Sequence, residues 1–256
     1  MPILLPVLRQ ITMLSLKIGV ITDGDDWVEE NPDEAYHWNG HVAAGQTLEI
    51  IGKNGSIRAR GVEGSEVRVV GIKRGDRRKI QKLNFEVEQT AEGVRIKTVS
   101  PRFFRNNVEV NFAVEVPIGV CIMARMSNGP ISVKSVSGSA ELVAGNGGIT
   151  IADSGWVRAE TSNGFIRASI REQNWTKPIY FRSANGSISV ELPQNTNTRI
   201  SAKTTNGTVD ASFPLTQVEN KGRNSLIGVL GSDGQRELIC ECINGSVHLS
   251  QVSRAV

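Results

Sequence analysis

Apolar and polar residues alternate with a period of two through most of this chain, and a recurring bend signal interrupts the alternation. After Gly129 come Ile131 and Val133, after Gly164 come Ile166 and Ala168, and after Gly186 come Ile188 and Val190. Gly207 leads in the same way into Val209 and Ala211, and Gly245 into Val247 and Leu249. Each stretch reads as a short strand with one buried face. Upstream, the alternation predicts strands at looser spacing over 47–51, 57–60, 67–72, 83–87, 94–98, 108–116 and 120–126.

The bend itself is Asn-Gly, at Asn39, Asn54, Asn128, Asn146, Asn163, Asn185, Asn206 and Asn244. Chance placement of the chain's 26 glycines after its asparagines would give about two such pairs, so the dipeptide is there for its geometry. From Asn128 the steps are near twenty residues, except for the last, from Asn206 to Asn244, which is close to twice nineteen. Gly138 and Gly155 lie midway between the first corners and open strands of their own (Ala140 and Leu142; Val157 and Ala159). A hairpin meander also favours Asn-Gly. It has no reason, however, to alternate Asn-Gly and Ser-Gly corners at fixed phase. A coil that returns to the same bend does.

The expected fold is therefore all-β: a parallel β-solenoid, right-handed β-helix-like, of about twenty-residue coils, capped by a more irregular N-terminal β half. The structural corners are Asn128-Gly129, Asn146-Gly147, Asn163-Gly164, Asn185-Gly186, Asn206-Gly207 and Asn244-Gly245, with their asparagines stacked in a ladder along the axis. Small inward residues such as Ala140, Ala159, Ala168 and Ala211 predict a thin interior. The boundaries read as an apolar segment and acidic linker (1–34), the N-terminal β portion (35–125), the repeat solenoid (126–250), with residues 238–249 as the last coil, and a tail (251–256). Open ends would be sticky strand edges, which the N-terminal half is placed to cover.

The recurrent Asn-Gly-Ser-Ile and Asn-Gly-Thr-Val units resemble the bacterial putative adhesin family, a group of domains of unknown function. The closing stretch from Gly231 to Leu249 is similar to that family's ending, and residues 40–50 are similar to its opening strand pair. The resemblance spans roughly residues 36–250. It implies a β-solenoid in the periplasm or on the cell surface, with adhesion as the role by analogy, and it brings no catalytic residues with it.

Composition narrows the function further. Aromatics make up 5% of the 256 residues and the net charge is +3, so neither nucleic acid nor an anionic membrane has an electrostatic case. Residues 1–21 are apolar but interrupted by Arg9 and Lys17, which makes a poor signal peptide and no membrane-spanning run. The acidic stretch 23–34 reads as a solvated linker. Cys240 and Cys242 lie two apart in one strand and, with Cys121, read as small core residues rather than a metal or redox pair. His37, His41 and His248 read as exposed positions.

No nucleophile motif and no cofactor signature stands out. Glycan cleavage would need two carboxylates about 5–10 Å apart, and Glu141, Asp153, Glu160, Glu191 and Asp210 fall at unrelated phases of the repeat. The expected role is thus non-catalytic binding or scaffolding, with a glycan-active hydrolase or lyase as the alternative. Partners under this reading are a glycan, an envelope protein, or copies of the chain itself through an uncapped end. Two groups could make the contact. Lys73, Arg74, Arg77 and Arg78 read as a basic hairpin tip suited to an anionic glycan or phosphate. Trp156 and Phe165, each directly after a corner glycine, and Trp175 could form a stacking surface for sugar rings, with Tyr180 and Phe181 nearby.

Overall fold

A computed structural model describes residues 19–21, 27–29, 35–100, 108–171, 175–232 and 234–252. The apolar segment 1–18, most of the acidic linker and the tail beyond 252 lie outside the described residues. Within the first compact unit, residues 1–33, Gly19–Ile21 pairs antiparallel with Trp27–Glu29, so part of the expected linker is strand.

The second unit, from Glu34 onward, is a two-sheet coil. Each coil runs up one strand to its Asn, turns at Gly, and runs along a second strand in the facing sheet. Strands ending at Asn stack in parallel as sheet 1, and those following Gly stack in parallel as sheet 2. Equivalent positions pair from coil to coil, with one shift between Ala152 and Ser154: Asn146 pairs with Asn128 and Asn163 in sheet 1, and Ile149 with Ile131 and Ile166 in sheet 2. The parallel β-solenoid is thereby established.

The spatial order of the coils differs from their order in sequence. Coil 1, at one end, is Gly93–Val99 with Val108–Pro117, and coil 2 is the long strand Thr47–Val62, which serves both sheets. Coil 3 (Cys121–Asn128 with Ile131–Lys134), coil 4 (Ala140–Asn146 with Ile149–Ser154), coil 5 (Val157–Asn163 with Ile166–Ile170) and coil 6 (Ile179–Asn185 with Ile188–Leu192) follow in sequence. Coil 7 is then Glu237–Asn244 with Val247–Gln251, and coil 8, outermost, is Thr198–Asn206 with Val209–Ala211. Residues 238–249 are therefore not the last coil but the last but one. The 38-residue step does not hold two coils. It holds coil 8's second strand, an antiparallel excursion and the return to coil 7.

Antiparallel strands continue both sheets at one end and sheet 1 at the other. Asn84–Thr90 pairs with coil 1 in sheet 1, and Val67–Gly75 followed by Ala35–Gly40 continue beyond it in sheet 2. At the other end, Ser225–Leu230 pairs with Thr198–Asn206, and Thr216–Lys221 pairs in turn with Ser225–Leu230. That outer strand is exposed along its length and bulged between Thr216 and Asn220, which blunts it as a template for further pairing. Antiparallel strands thus cover both ends of sheet 1.

The interior is one continuous core between the sheets. Down its middle, Ala124, Leu142, Ala159, Phe181, Cys240 and Ala202 lie in successive coils, and all six are buried. The column sets small residues beside large ones, so Phe181 has Ala159 on one side and Cys240 on the other. This is the size alternation a thin, close-packed interior demands. Of the four inward alanines expected from the sequence, Ala140, Ala159 and Ala168 are buried, whereas Ala211, in the outermost coil, is only half-buried.

Candidate functional site

The Asn-Gly edge is where the repeat does its structural work. Seven of the eight asparagines form a single side-chain ladder. Asn128 Nδ2 donates to Asn54 Oδ1 at 2.8 Å, Asn146 to Asn128 at 2.8 Å, and Asn163 to Asn146 at 2.7 Å. Asn185 donates to Asn163 at 2.8 Å, Asn244 to Asn185 at 2.7 Å, and Asn206 to Asn244 at 2.8 Å. Asn39 stands apart, in the end strand Ala35–Gly40.

The glycine that follows each Asn is required by the stacking distance. A Cβ on Gly164 would run into the Gly147 carbonyl oxygen of the neighbouring coil, and one on Gly129 into that of Gly55, with Gly129 also at φ 133°. A second ladder lies just inside the first. Thr161 Oγ1 donates to the Gly147 carbonyl at 2.9 Å, Ser183 Oγ to Gly164 at 2.9 Å, Cys242 Sγ to Gly186 at 3.2 Å, and Thr204 Oγ1 to Gly245 at 2.7 Å. All four side chains are buried. Cys242 is therefore more than filler: its thiol occupies a hydroxyl position. Burial pushes the thiols of Cys240 and Cys242 up, which holds both in the neutral, unreactive form.

The opposite edge, where sheet 2 returns to sheet 1, carries the cleft. Ser137-Gly138-Ser139 of one coil, Gly155-Trp156 of the next and Trp175-Thr176-Lys177 enclose a depression of about 260 Å³. Trp156 is half-buried, and its indole N–H donates to the Pro178 carbonyl at 2.9 Å. The Lys177 ammonium sits 5.6 Å from the Trp156 ring centroid, in cation–π range. Trp175 is 5% exposed, the Arg236 guanidinium lies 5.7 Å from its ring centroid, and its indole nitrogen has no hydrogen-bond partner among the described residues. A buried N–H without a partner is costly, and this one belongs to a side chain lining the cleft.

The structure thus brings together Trp156 and Trp175 and adds Lys177, Ser137 and Ser139, which the sequence did not single out. Phe165 does not join them. It lies on the Asn-Gly edge, 46% exposed, with its ring over Gly148 and 5.4 Å from the Arg167 guanidinium. Tyr180 is on the outer face of sheet 1, where its hydroxyl donates to Glu241 Oε2 at 2.7 Å, and Phe181 is in the core. A common Trp156–Phe165 stacking surface is corrected accordingly.

The basic run is not a hairpin tip either. Lys73 ends a strand of sheet 2 and points into the protein. Its ammonium donates to the Leu83 carbonyl at 2.6 Å and lies 5.3 Å from the Phe85 ring centroid, and burial holds its pKa below the usual lysine value. Arg77 and Arg78 follow on a one-turn helix, Arg77–Ile80, whose N-cap is Asp76. Arg74, Arg77 and Arg78 are exposed.

The carboxylates considered for catalysis are scattered. Glu141 and Glu160 face out from sheet 1, with Glu160 held by Arg158 at 2.6 Å. Glu191 and Asp210 face out from sheet 2, with Asp210 2.7 Å from His248 Nδ1. Asp153 pairs with Arg171. Among the described residues, no three His, Cys, Asp or Glu side chains converge on one point, and no helix is long and apolar enough to cross a membrane.

These features define a capped, two-sheet parallel β-solenoid with an asparagine ladder on one edge and an aromatic cleft on the other. No family model matches the sequence, and no curated protein matches it. Solved structures do. A putative cell adhesion protein from Clostridium sporogenes ATCC 15579 is similar at 15% identity and TM-score 0.44, over 85% of this chain and 100% of that one. A putative adhesin from Bacteroides fragilis NCTC 9343 is similar at 10% identity and TM-score 0.28, over 86% of this chain and 98% of that one. A putative adhesin from Parabacteroides distasonis ATCC 8503 matches at 9% identity and TM-score 0.22, over 85% and 97%.

Proposed function

We propose that this chain is a non-catalytic binding module of the bacterial cell envelope or surface, working as an adhesin-type solenoid that presents fixed side chains to a glycan or an envelope protein. The observation that carries this reading is the cleft of Trp156, Trp175 and Lys177, the one place described where two indoles, a cation and hydroxyls converge. Such a mix of an apolar wall and a few aimed polar groups suits a small polar ring better than an apolar ligand. A carboxylate on sheet 1 and one on sheet 2 face opposite ways and cannot flank one glycosidic bond, and Glu160, the sheet 1 neighbour of Glu141, is held by Arg158.

A glycan array and an envelope-extract pull-down with the whole chain test the reading, each repeated with Trp156→Ala and Lys177→Ala. Captured ligand should be lost in both variants while the circular dichroism spectrum is kept. Capture that neither substitution changes removes the cleft from the proposal. Release of reducing ends from an array glycan overturns the non-catalytic reading itself.

A further inference from the structure

The two outer faces of the solenoid differ in how their charges are arranged. On sheet 1 the outward cations are mostly ion-paired, and Arg182 lies in register between Glu160 and Glu241. Glu49 holds Arg95 at 2.6 Å and Arg125 at 3.3 Å, Lys97 lies 3.0 Å from Glu88, Arg158 2.6 Å from Glu160, and Lys203 2.7 Å from Glu241. On sheet 2 the ion pairs are fewer: Arg60 reaches Glu115 of coil 1 at 2.6 Å, Asp153 holds Arg171, and Asp210 lies 2.7 Å from His248. Lys134 of coil 3 and Arg167 of coil 5 are both exposed, and among the described residues neither has a carboxylate within ion-pair distance.

The floor between these cations is low and hydroxylated. In register across sheet 2, Arg58 lies beside Ser132, Ser132 beside Thr150, and Thr150 beside Arg167. Parallel strands are about 4.8 Å apart, so the two arginines bracket a strip of roughly 14 Å with only Ser and Thr side chains between them. Lys134 rises from the adjacent column, next to Ala152. Phe165, at the edge of the strip, offers an exposed ring against the Arg167 guanidinium. The outward positions of coils 3–5 on this face hold no other large apolar side chain.

We infer that the outer face of sheet 2 over coils 2–5 is a docking strip for a linear anionic polysaccharide, separate from the aromatic cleft on the opposite edge. Charge complementarity selects an anion, because Lys134 and Arg167 are cations the protein itself leaves unmatched. The flat hydroxyl floor selects a hydroxyl-rich polymer that lies along the stacking axis, with Phe165 able to stack on a sugar ring. A lipid bilayer fits less well, since the strip has nothing apolar to insert beyond one edge phenylalanine.

The test uses the whole chain and fluorescently labelled polygalacturonate, with neutral dextran of matched length as control. Polygalacturonate should bind at low ionic strength and be released by salt, as exposed charge pairs require, and dextran should not bind. Lys134→Glu with Arg167→Glu should weaken binding about tenfold or more, since each reversal replaces an attraction with a repulsion. Lys134→Gln with Arg167→Gln, which leaves folding undisturbed at exposed sites, should weaken it by a smaller factor. Trp156→Ala should leave it unchanged, which separates this strip from the cleft. Failure of polygalacturonate to bind, equal binding by both double variants and the parent, or tighter binding to vesicles rich in phosphatidylglycerol than to polygalacturonate would each overturn the assignment.

Discussion

Asn163→Ala is the substitution that best isolates what the corner repeat contributes to stability. Asn163 donates to Asn146 and accepts from Asn185, so its truncation removes two side-chain hydrogen bonds. Asn206 ends the ladder and makes only the bond to Asn244, so Asn206→Ala removes one. A hydrogen bond contributes about 0.5–1.5 kcal/mol net, and water can replace it at these exposed positions, so the lower half of that range applies. Asn163→Ala should therefore lose about 1–2 kcal/mol and Asn206→Ala about half as much. Asn146 and Asn163 share a bond, and the double variant Asn146→Ala/Asn163→Ala should lose three bonds rather than four. Its deficit should fall short of the sum of the single losses by about one bond, roughly 1 kcal/mol. Urea titration followed by circular dichroism reads all four values as shifts in midpoint at constant slope. Equal losses for Asn163→Ala and Asn206→Ala, or strict additivity in the double variant, would refute the view that the amides act as one connected ladder.

Further outcomes follow from the inner features. Ser183→Ala removes the buried donor to the Gly164 carbonyl and should cost about 1–2 kcal/mol, measurable in the same titration, with Ser183→Thr largely neutral if the hydroxyl is what counts. Ala159→Phe sets a second ring beside Phe181 and should destabilise by about 1–3 kcal/mol or more, seen as a drop in Tm. Tyr180 is pushed up to about 12 by burial first and then by Glu241, whereas an unfolded tyrosine titrates near 10. Its contribution is complete below pH 10 and is lost as pH rises from there through about 12. Ultraviolet titration of the chain's two tyrosines should show the late ionisation, and Glu241→Gln should bring it earlier.

The repeat was legible because its cause is local. The Asn-Gly corners bring their backbone within reach of the next coil, only glycine fits there, and the Asn amide can both give and take a ladder bond. The order of the coils was not legible. A 38-residue step is the same length whether it holds two coils or a coil plus an antiparallel detour, and the detour's strands alternate no less than the others. Cys242 could have been read further: Thr161, Ser183 and Thr204 occupy the same place, two before Asn, where the alternation calls for an apolar residue. The aromatic cluster misled for a geometric reason. Trp156 and Phe165 both follow a glycine, but in a coil of two strands successive bends fall on opposite edges, which parts them by the width of a sheet.

The exchange of order at the two ends has a temporal consequence. Residues 237–251 leave the ribosome after residues 198–211, yet they lie beneath them, between that outer turn and the one formed by residues 179–192. The outer turn cannot settle on its final neighbour until the later segment has slipped into place, so this end of the molecule assembles only after residues 237–251 have been translated. The same interleaving works in reverse under pulling or proteolysis: residues 237–251 are clasped on both sides, and freeing them breaks parallel pairings with both neighbours at once.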